Sequence, residues 1–131
     1  MNPKRVAQTT PRPELSTLVD LLRWRSTQES NRLAYSFLAD GEGAEQHLTL
    51  GDLDLRARAI AAWLQQETSL GDRVLLLFMP GLDYIAAFFG CLYAGIIAVP
   101  TYPPKRNRID GRLEAIIKNT QARVVLTFPG L

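Results

Sequence analysis

Side chains able to do chemistry are sparse in this chain and stand apart from one another. His47 is its only histidine and Cys91 its only cysteine. His47 falls beside an expected hairpin, with no Ser, Cys or carboxylate constellation around it, and reads as an exposed structural residue rather than a proton-transfer group. Cys91 lies in an apolar run with no basic neighbour to lower its pKa, which makes it a buried, inert thiol. A single cysteine also excludes an intrachain disulfide framework and any multi-cysteine metal site. Lys105-Arg106-Asn107-Arg108 could contact phosphate, but three charges without a glycine-rich backbone cradle read as a solvated loop. Met79-Pro80-Gly81 stands before a helix, in the kind of strand-to-helix turn that binds anions. It lacks the glycine spacing and the Lys-Ser/Thr of a phosphate-binding loop. On these grounds no position is assigned a catalytic, cofactor-binding or metal-ligating role.

The elements that hold these residues follow from local pattern. Ser16 or Thr17 caps a first helix, with Asp20 three residues after Thr17 and Leu18, Leu21, Leu22 and Arg25 at helical spacing. Leu33 to Leu38 reads as a strand in which Leu33, Tyr35 and Phe37 alternate with smaller or polar neighbours. Asp40-Gly41-Glu42-Gly43 is a turn and Gln46 to Leu48 a short returning strand. Thr49 and Asp52 repeat the capping spacing and open a second helix to about Gln66, with Leu53, Ala57, Ile60, Ala61 and Leu64 as its apolar stripe. Val74 to Phe78 is short, continuous and apolar, as expected of a strand covered on both faces of a parallel sheet. Another helix is expected over Ile109–Asn119, with Leu113, Ile116 and Ile117 inward, and a last strand over Val124–Thr127. From Thr49 onward the order is helix, strand, helix, strand, helix, strand. The fold class is therefore α/β, with parallel β-α-β units and a short amino-terminal hairpin.

Leu82 to Val99 is an apolar run of 18 residues with one charge, at the lower threshold for a membrane span. Ala86, Gly90 and Ala94 even form a small-residue face of the kind membrane helices use. Gly95 interrupts the run, however, and Ile96, Ile97 and Val99 after it are β-branched and suit a strand. A buried helix, a glycine break and an inner strand are expected, with the small face lying close against the sheet.

Composition sets the outer limits. The 131 residues are one domain's worth, and 47% apolar with 21% charged residues is ordinary globular composition. A net charge of +2 is too small to argue for nucleic acid or an anionic membrane as partner. The lone cysteine fits a reducing, cytoplasmic setting. Residues 1–14 are polar, are broken by Pro3, Pro11 and Pro13, and read as a loose leader rather than a secretory signal.

Three segments together resemble a known family: T-L-V-D-L-L-R-W-R at Thr17–Arg25, L-T-L-G-D-L-D-L-R-A-R-A-I-A-A-W-L at Leu48–Leu64, and P-G-L-D-Y-I-A-A-F-F-G-C-L-Y-A-G-I-I-A-V-P-T-Y-P-P at Pro80–Pro104. They are similar to the amino-terminal part of fatty acyl-AMP ligases, members of the adenylate-forming superfamily. The Tyr102-Pro103-Pro104 ending is what favours this branch over relatives that make acyl-CoA.

The resemblance implies a two-step enzyme of lipid biosynthesis. A fatty acid carboxylate would attack the α-phosphate of ATP with magnesium, giving acyl-AMP and pyrophosphate. The acyl group would then pass to the phosphopantetheine thiol of an acyl carrier protein, often on a polyketide or peptide synthase. The family's phosphate loop, ribose-binding acid and carboxyl-terminal lysine have no counterpart between Met1 and Leu131. Residues 15–131 are thus expected to be a partial AMP-binding domain ahead of the phosphate-binding loop, inactive alone and completed by the remainder of the ligase. The other expectation is a free-standing interaction module that docks on a ligase or synthase partner.

Overall fold

The computed structural model describes residues 13–39, 41–105 and 110–129. The expected leader up to residue 12, the turn residue Asp40 and the Arg106–Arg108 part of the basic loop lie outside these. Helix α1 (Leu18–Gln28) is followed by an antiparallel hairpin, β1 (Leu33–Leu38) and β2 (Glu45–Thr49), and by helix α2 (Leu50–Glu67). Three parallel strands follow, β3 (Arg73–Leu77), β4 (Ile97–Thr101) and β5 (Val124–Thr127), with helix α3 (Leu82–Ala94) after β3 and helix α4 (Gly111–Thr120) after β4. The sheet order is β4-β3-β5, so β3 is central.

Local chemistry sets most boundaries. The hydroxyls of Thr17 and Thr49 accept from the backbone N–H of Asp20 at 3.0 Å and Asp52 at 3.1 Å. Each satisfies one otherwise orphaned amide, while the acid favours the positive end of the helix. Asp110 does the same for Leu113 at 2.9 Å and starts α4 at Gly111, while the expected start at Ile109 lies outside the described residues. Gly95 ends α3 with φ of 75°, the left-handed conformation glycine adopts without cost. The long apolar run is thus a 13-residue helix and then strand β4. Among the described residues no helix is long and apolar enough to cross a membrane.

β3 explains the core. Val74 and Leu76 point to one face, against Ala87, Cys91 and Ala94 of α3 and Leu64 of α2. Leu75 and Leu77 point to the other, against Leu113 of α4. Burial on both faces is why this strand is apolar without alternation, and each such side chain contributes about 1.5–3 kcal/mol. A second cluster joins Leu22 of α1, Leu48, Leu50, Leu53, Leu82 and Ala86.

Three sequence expectations are corrected. In β1 the inward residues are Ala34 and Phe37, while Leu33 and Tyr35 are exposed. The pairing with β2 shifts between Leu33 and Tyr35, and this irregularity resets the alternation. In α4 Leu113 is buried and Ile116 packs beside it, but Ile117 is exposed. The small face of α3 meets a helix as well as the sheet, because Gly90 lies against Ile60 of α2.

Where α1, α2 and α3 meet, one charge is buried. Asp54 accepts a hydrogen bond from the Tyr93 hydroxyl at 2.7 Å and pairs with Arg58 Nε at 2.8 Å. The Arg23 guanidinium stands 5.8 Å from the Tyr93 ring centroid. Both Asp54 oxygens are thereby satisfied, which is the condition for burying a carboxylate.

Candidate functional site

The two crossovers of the sheet leave β3 and β4 in opposite directions. The chain after β3 turns to α3 on the Val74–Leu76 face, and the chain after β4 turns to α4 on the Leu75–Leu77 face. Adjacent parallel strands whose connections diverge open a crevice beyond their carboxyl ends, the place where open α/β sheets bind ligands. A cleft of about 330 Å³ lies there. Phe78 and Pro80 from the β3–α3 turn and Tyr84 from α3 form one side, and Pro100, Thr101 and Tyr102 from the end of β4 form the other, with Arg112 of α4 at its rim. A smaller hollow of about 240 Å³ adjoins it and shares Thr101, Tyr102 and Arg112, adding Pro103, Pro104, Lys105, Asp110 and Leu113.

Each wall has a local cause. Leu77 pairs with Thr101 as the last rung of the β3–β4 ladder, so Phe78 and Tyr102 both leave the sheet at the same level. Pro80 and Gly81 then turn the chain into α3, and the first turn of that helix presents Tyr84, whose ring is 6.2 Å from that of Phe88. Asp83 in the same turn pairs with Arg56 of α2 and so tethers the start of α3. The cleft is aromatic and proline-walled with hydroxyls from Thr101, Tyr84 and Tyr102 and one guanidinium. Among the described residues no acid or thiol lines it. Such a lining can bind and orient a ligand.

The residues singled out from sequence fall as follows. Pro80 lines the cleft, and Lys105 lines only the adjoining hollow. Cys91 is fully buried between α3 and the sheet, and burial pushes its thiol up to about 11, as expected of an inert group. His47 is exposed on β2, as read. The absence of neighbours was wrong: Ser36 Oγ lies 3.1 Å from its Nδ1 and Glu45 3.5 Å from its Nε2. Cross-strand register places Ser36 opposite His47, which sequence spacing of 11 does not reveal. All three are exposed on the outer face of the hairpin. The sequence reading missed Tyr84, Tyr102 and Arg112 as a group.

An apolar groove of about 350 Å³ between α1 and β1 includes Leu18, Leu33, Tyr35 and Phe89. Its two cations, Arg25 and Arg32, both bind Glu29, at 2.9 and 2.7 Å, and hold that carboxyl below its ordinary range. Arg112 differs, since it makes no ion pair among the described residues.

An open parallel sheet with its cleft at a switch point defines a ligand-binding α/β domain, and the profile of the AMP-binding enzyme family matches residues 22–130. The chain belongs to that family. The relatives it matches include fatty acid–AMP ligases. It is 50% identical over 119 residues to the medium-chain-fatty-acid–[acyl-carrier-protein] ligase JamA of Moorena producens, covering 88% of this chain and 20% of that protein. It is 42% identical to the long-chain-fatty-acid–AMP ligase FadD32 of Mycolicibacterium smegmatis, covering 88% and 19%. Among solved structures, the fatty acyl-adenylate ligase of Legionella pneumophila, in complex with acyl adenylate and pyrophosphate, superposes with a TM-score of 0.84 at 44% identity, covering 88% of this chain and 20% of that one. The chain spans about a fifth of the length of the relatives it matches. The expected fold and family are thereby established.

Proposed function

We propose that this chain supplies the amino-terminal sheet of a cytoplasmic fatty acyl-AMP ligase, and that the cleft beyond β3 and β4 is one wall of its substrate site. The observation that carries this reading is the position of the cleft at the divergence of the two crossovers, in a fold shared at 44% identity with a ligase solved with acyl adenylate. In the reaction, the fatty acid carboxylate oxygen bonds to the α-phosphorus of ATP, the bond to the β-phosphate breaks, and pyrophosphate leaves with the electron pair. Transfer of the acyl group to the thiol of an acyl carrier protein would follow.

The described residues do not fit Mg-ATP. No three acidic, histidine or cysteine side chains converge on one point among them, and the β3–α3 turn lacks the glycines of a phosphate cradle. No step through the nucleotide is assigned to them. What the described residues contribute is apolar walling, with Phe78, Tyr84 and Tyr102 lining one side of the site.

The test is complementation. The chain is co-expressed with the complementary remainder of its Moorena relative, and ATP–pyrophosphate exchange is measured with medium- and long-chain acids. Exchange that needs both pieces supports the reading, and the chain alone should show none. Robust exchange by the chain alone would overturn it. Failure to complement, by a chain that still co-purifies with an intact ligase, would favour a free-standing docking module.

A further inference from the structure

The geometry points to Arg112 as the anion contact of the cleft, receiving a carboxylate or phosphate on an amphiphile whose apolar part lies against Phe78, Tyr84 and Tyr102. This rests on the proposed function only for the cleft being a substrate site; the contact itself is argued from the residues. Three observations converge. Arg112 is the one residue of α4 that lines the main cleft, and it also lines the hollow beside it, so it borders both spaces. Among the described residues, the other lining side chains of the main cleft are aromatic, proline or hydroxyl-bearing, which leaves Arg112 as the one charged residue lining it there.

The third observation is that Arg112 makes no ion pair among the described residues, a state it shares with Arg23, Arg73 and Arg123, none of which lines the cleft. Arg25 and Arg32 are bound to Glu29, Arg56 to Asp83 and Arg58 to Asp54. Arg112 instead occupies the second position of α4, at the positive end of the helix. A cation there opposes the positive end of the helix. Asp110 is close in sequence, but its Oδ1 accepts from the Leu113 amide and caps the helix rather than neutralising Arg112. An arginine placed against the helix field, beside an apolar cleft and without an ion-pair partner among the described residues, is arranged for an anion that comes from outside. Its planar donors suit a carboxylate or a phosphate equally.

The experiment separates the two anions from the apolar part. Octanoate, octyl phosphate and 1-octanol are titrated into the full chain by calorimetry, at low and at high salt. Arg112→Gln, Arg112→Lys and Tyr84→Ala chains are compared after circular dichroism confirms unchanged helix content. The expected result is saturable binding of at least one anionic amphiphile, weakened roughly tenfold in Arg112→Gln, the scale of one charge-assisted hydrogen bond, and partly kept in Arg112→Lys. Octanol should bind more weakly and be indifferent to Arg112, while Tyr84→Ala should weaken all three. Preference for octanoate identifies a carboxylate, and preference for octyl phosphate a phosphate. No saturable anionic binding, or binding unaltered in Arg112→Gln, overturns the inference. Either outcome is independent of complementation, so this contact can fail while the ligase reading stands.

Discussion

Gly90 of α3 lies against Ile60 of α2 with no room for a side chain. A Cβ built on Gly90 would stand 2.5 Å from Ile60 Cγ2 and 2.7 Å from Ile60 Cβ. Both atoms belong to the branched root of the isoleucine, which cannot swing aside. This glycine therefore sets how closely α2 and α3 approach. The same helix carries Ala87 and Cys91 onto Val74 and Leu76, so any displacement of α3 is felt in the sheet.

Gly90→Ala should for this reason destabilise the chain, although alanine is the better helix former by about 1 kcal/mol. The overpacking cost is about 1–3 kcal/mol, and the net loss should appear as a lower urea midpoint at unchanged slope. Adding Ile60→Ala to Gly90→Ala should restore part of the loss from Gly90→Ala, since the two substitutions share one contact. A gain in stability from Gly90→Ala alone would show that the helices are not held at this distance.

The Tyr93–Asp54 hydrogen bond predicts an alkaline limit. Burial, and then the Asp54 carboxylate that accepts its proton, push the Tyr93 hydroxyl well above its ordinary range. A folded-state pKa above the unfolded one means stability that is complete below the unfolded value, near 10, and is lost as pH rises beyond it. The Cys91 thiol, raised from 9.0 to about 11, acts in the same sense from pH 9 upward. Tyr93→Phe should cost roughly 1–2 kcal/mol at neutral pH by leaving one Asp54 oxygen unpaired. It should also flatten the decline above pH 10. Urea unfolding at a series of pH values reads both effects, and an unchanged alkaline slope in Tyr93→Phe would contradict the assignment.

Thr49→Ala should cost about 1 kcal/mol, and Thr49→Ser little. The Thr49 hydroxyl holds the Asp52 amide at the start of α2, the helix on which both Ile60 and Asp54 depend. Thr17→Ala breaks the equivalent bond to Asp20, but α1 contributes only Leu22 and Ser26 as buried residues. Its loss should therefore be the smaller when thermal midpoints are compared.

Those two caps were legible in the sequence because Thr-x-x-Asp is a local signal, complete within one turn. The parallel strands were legible too, since burial of Val74, Leu75, Leu76 and Leu77 on two faces leaves an unbroken apolar run. The cleft was not. Phe78, Tyr84, Tyr102 and Arg112 meet because the order β4-β3-β5 sends consecutive crossovers to opposite faces, and succession along a chain does not state that order. Cross-strand register likewise hid Ser36 from His47, and only the crossing of two helices shows that Gly90 faces Ile60.

The outer surfaces carry a last prediction. Leu55 and Trp63 stand 66% and 47% exposed two turns apart on α2, and Val125 on the outer strand β5 is 48% exposed. Exposed apolar side chains are ordinary when single, but here they occupy one face of a helix and one outer strand of an open sheet. Both are surfaces that proteins normally cover or charge. The isolated chain should bind the dye ANS in its native state and associate as concentration rises, read by light scattering after size exclusion. Acrylamide should quench Trp63 while the chain is monomeric and less so when it is associated. Val125→Lys should suppress association through the strand edge, and Leu55→Lys association through α2. Whichever substitution restores a monomer identifies the surface that drives contact, because the two lie on different elements and the substitutions should act independently. A monomer that neither binds dye nor associates at any concentration would show that these side chains are tolerated singly and form no sticky surface.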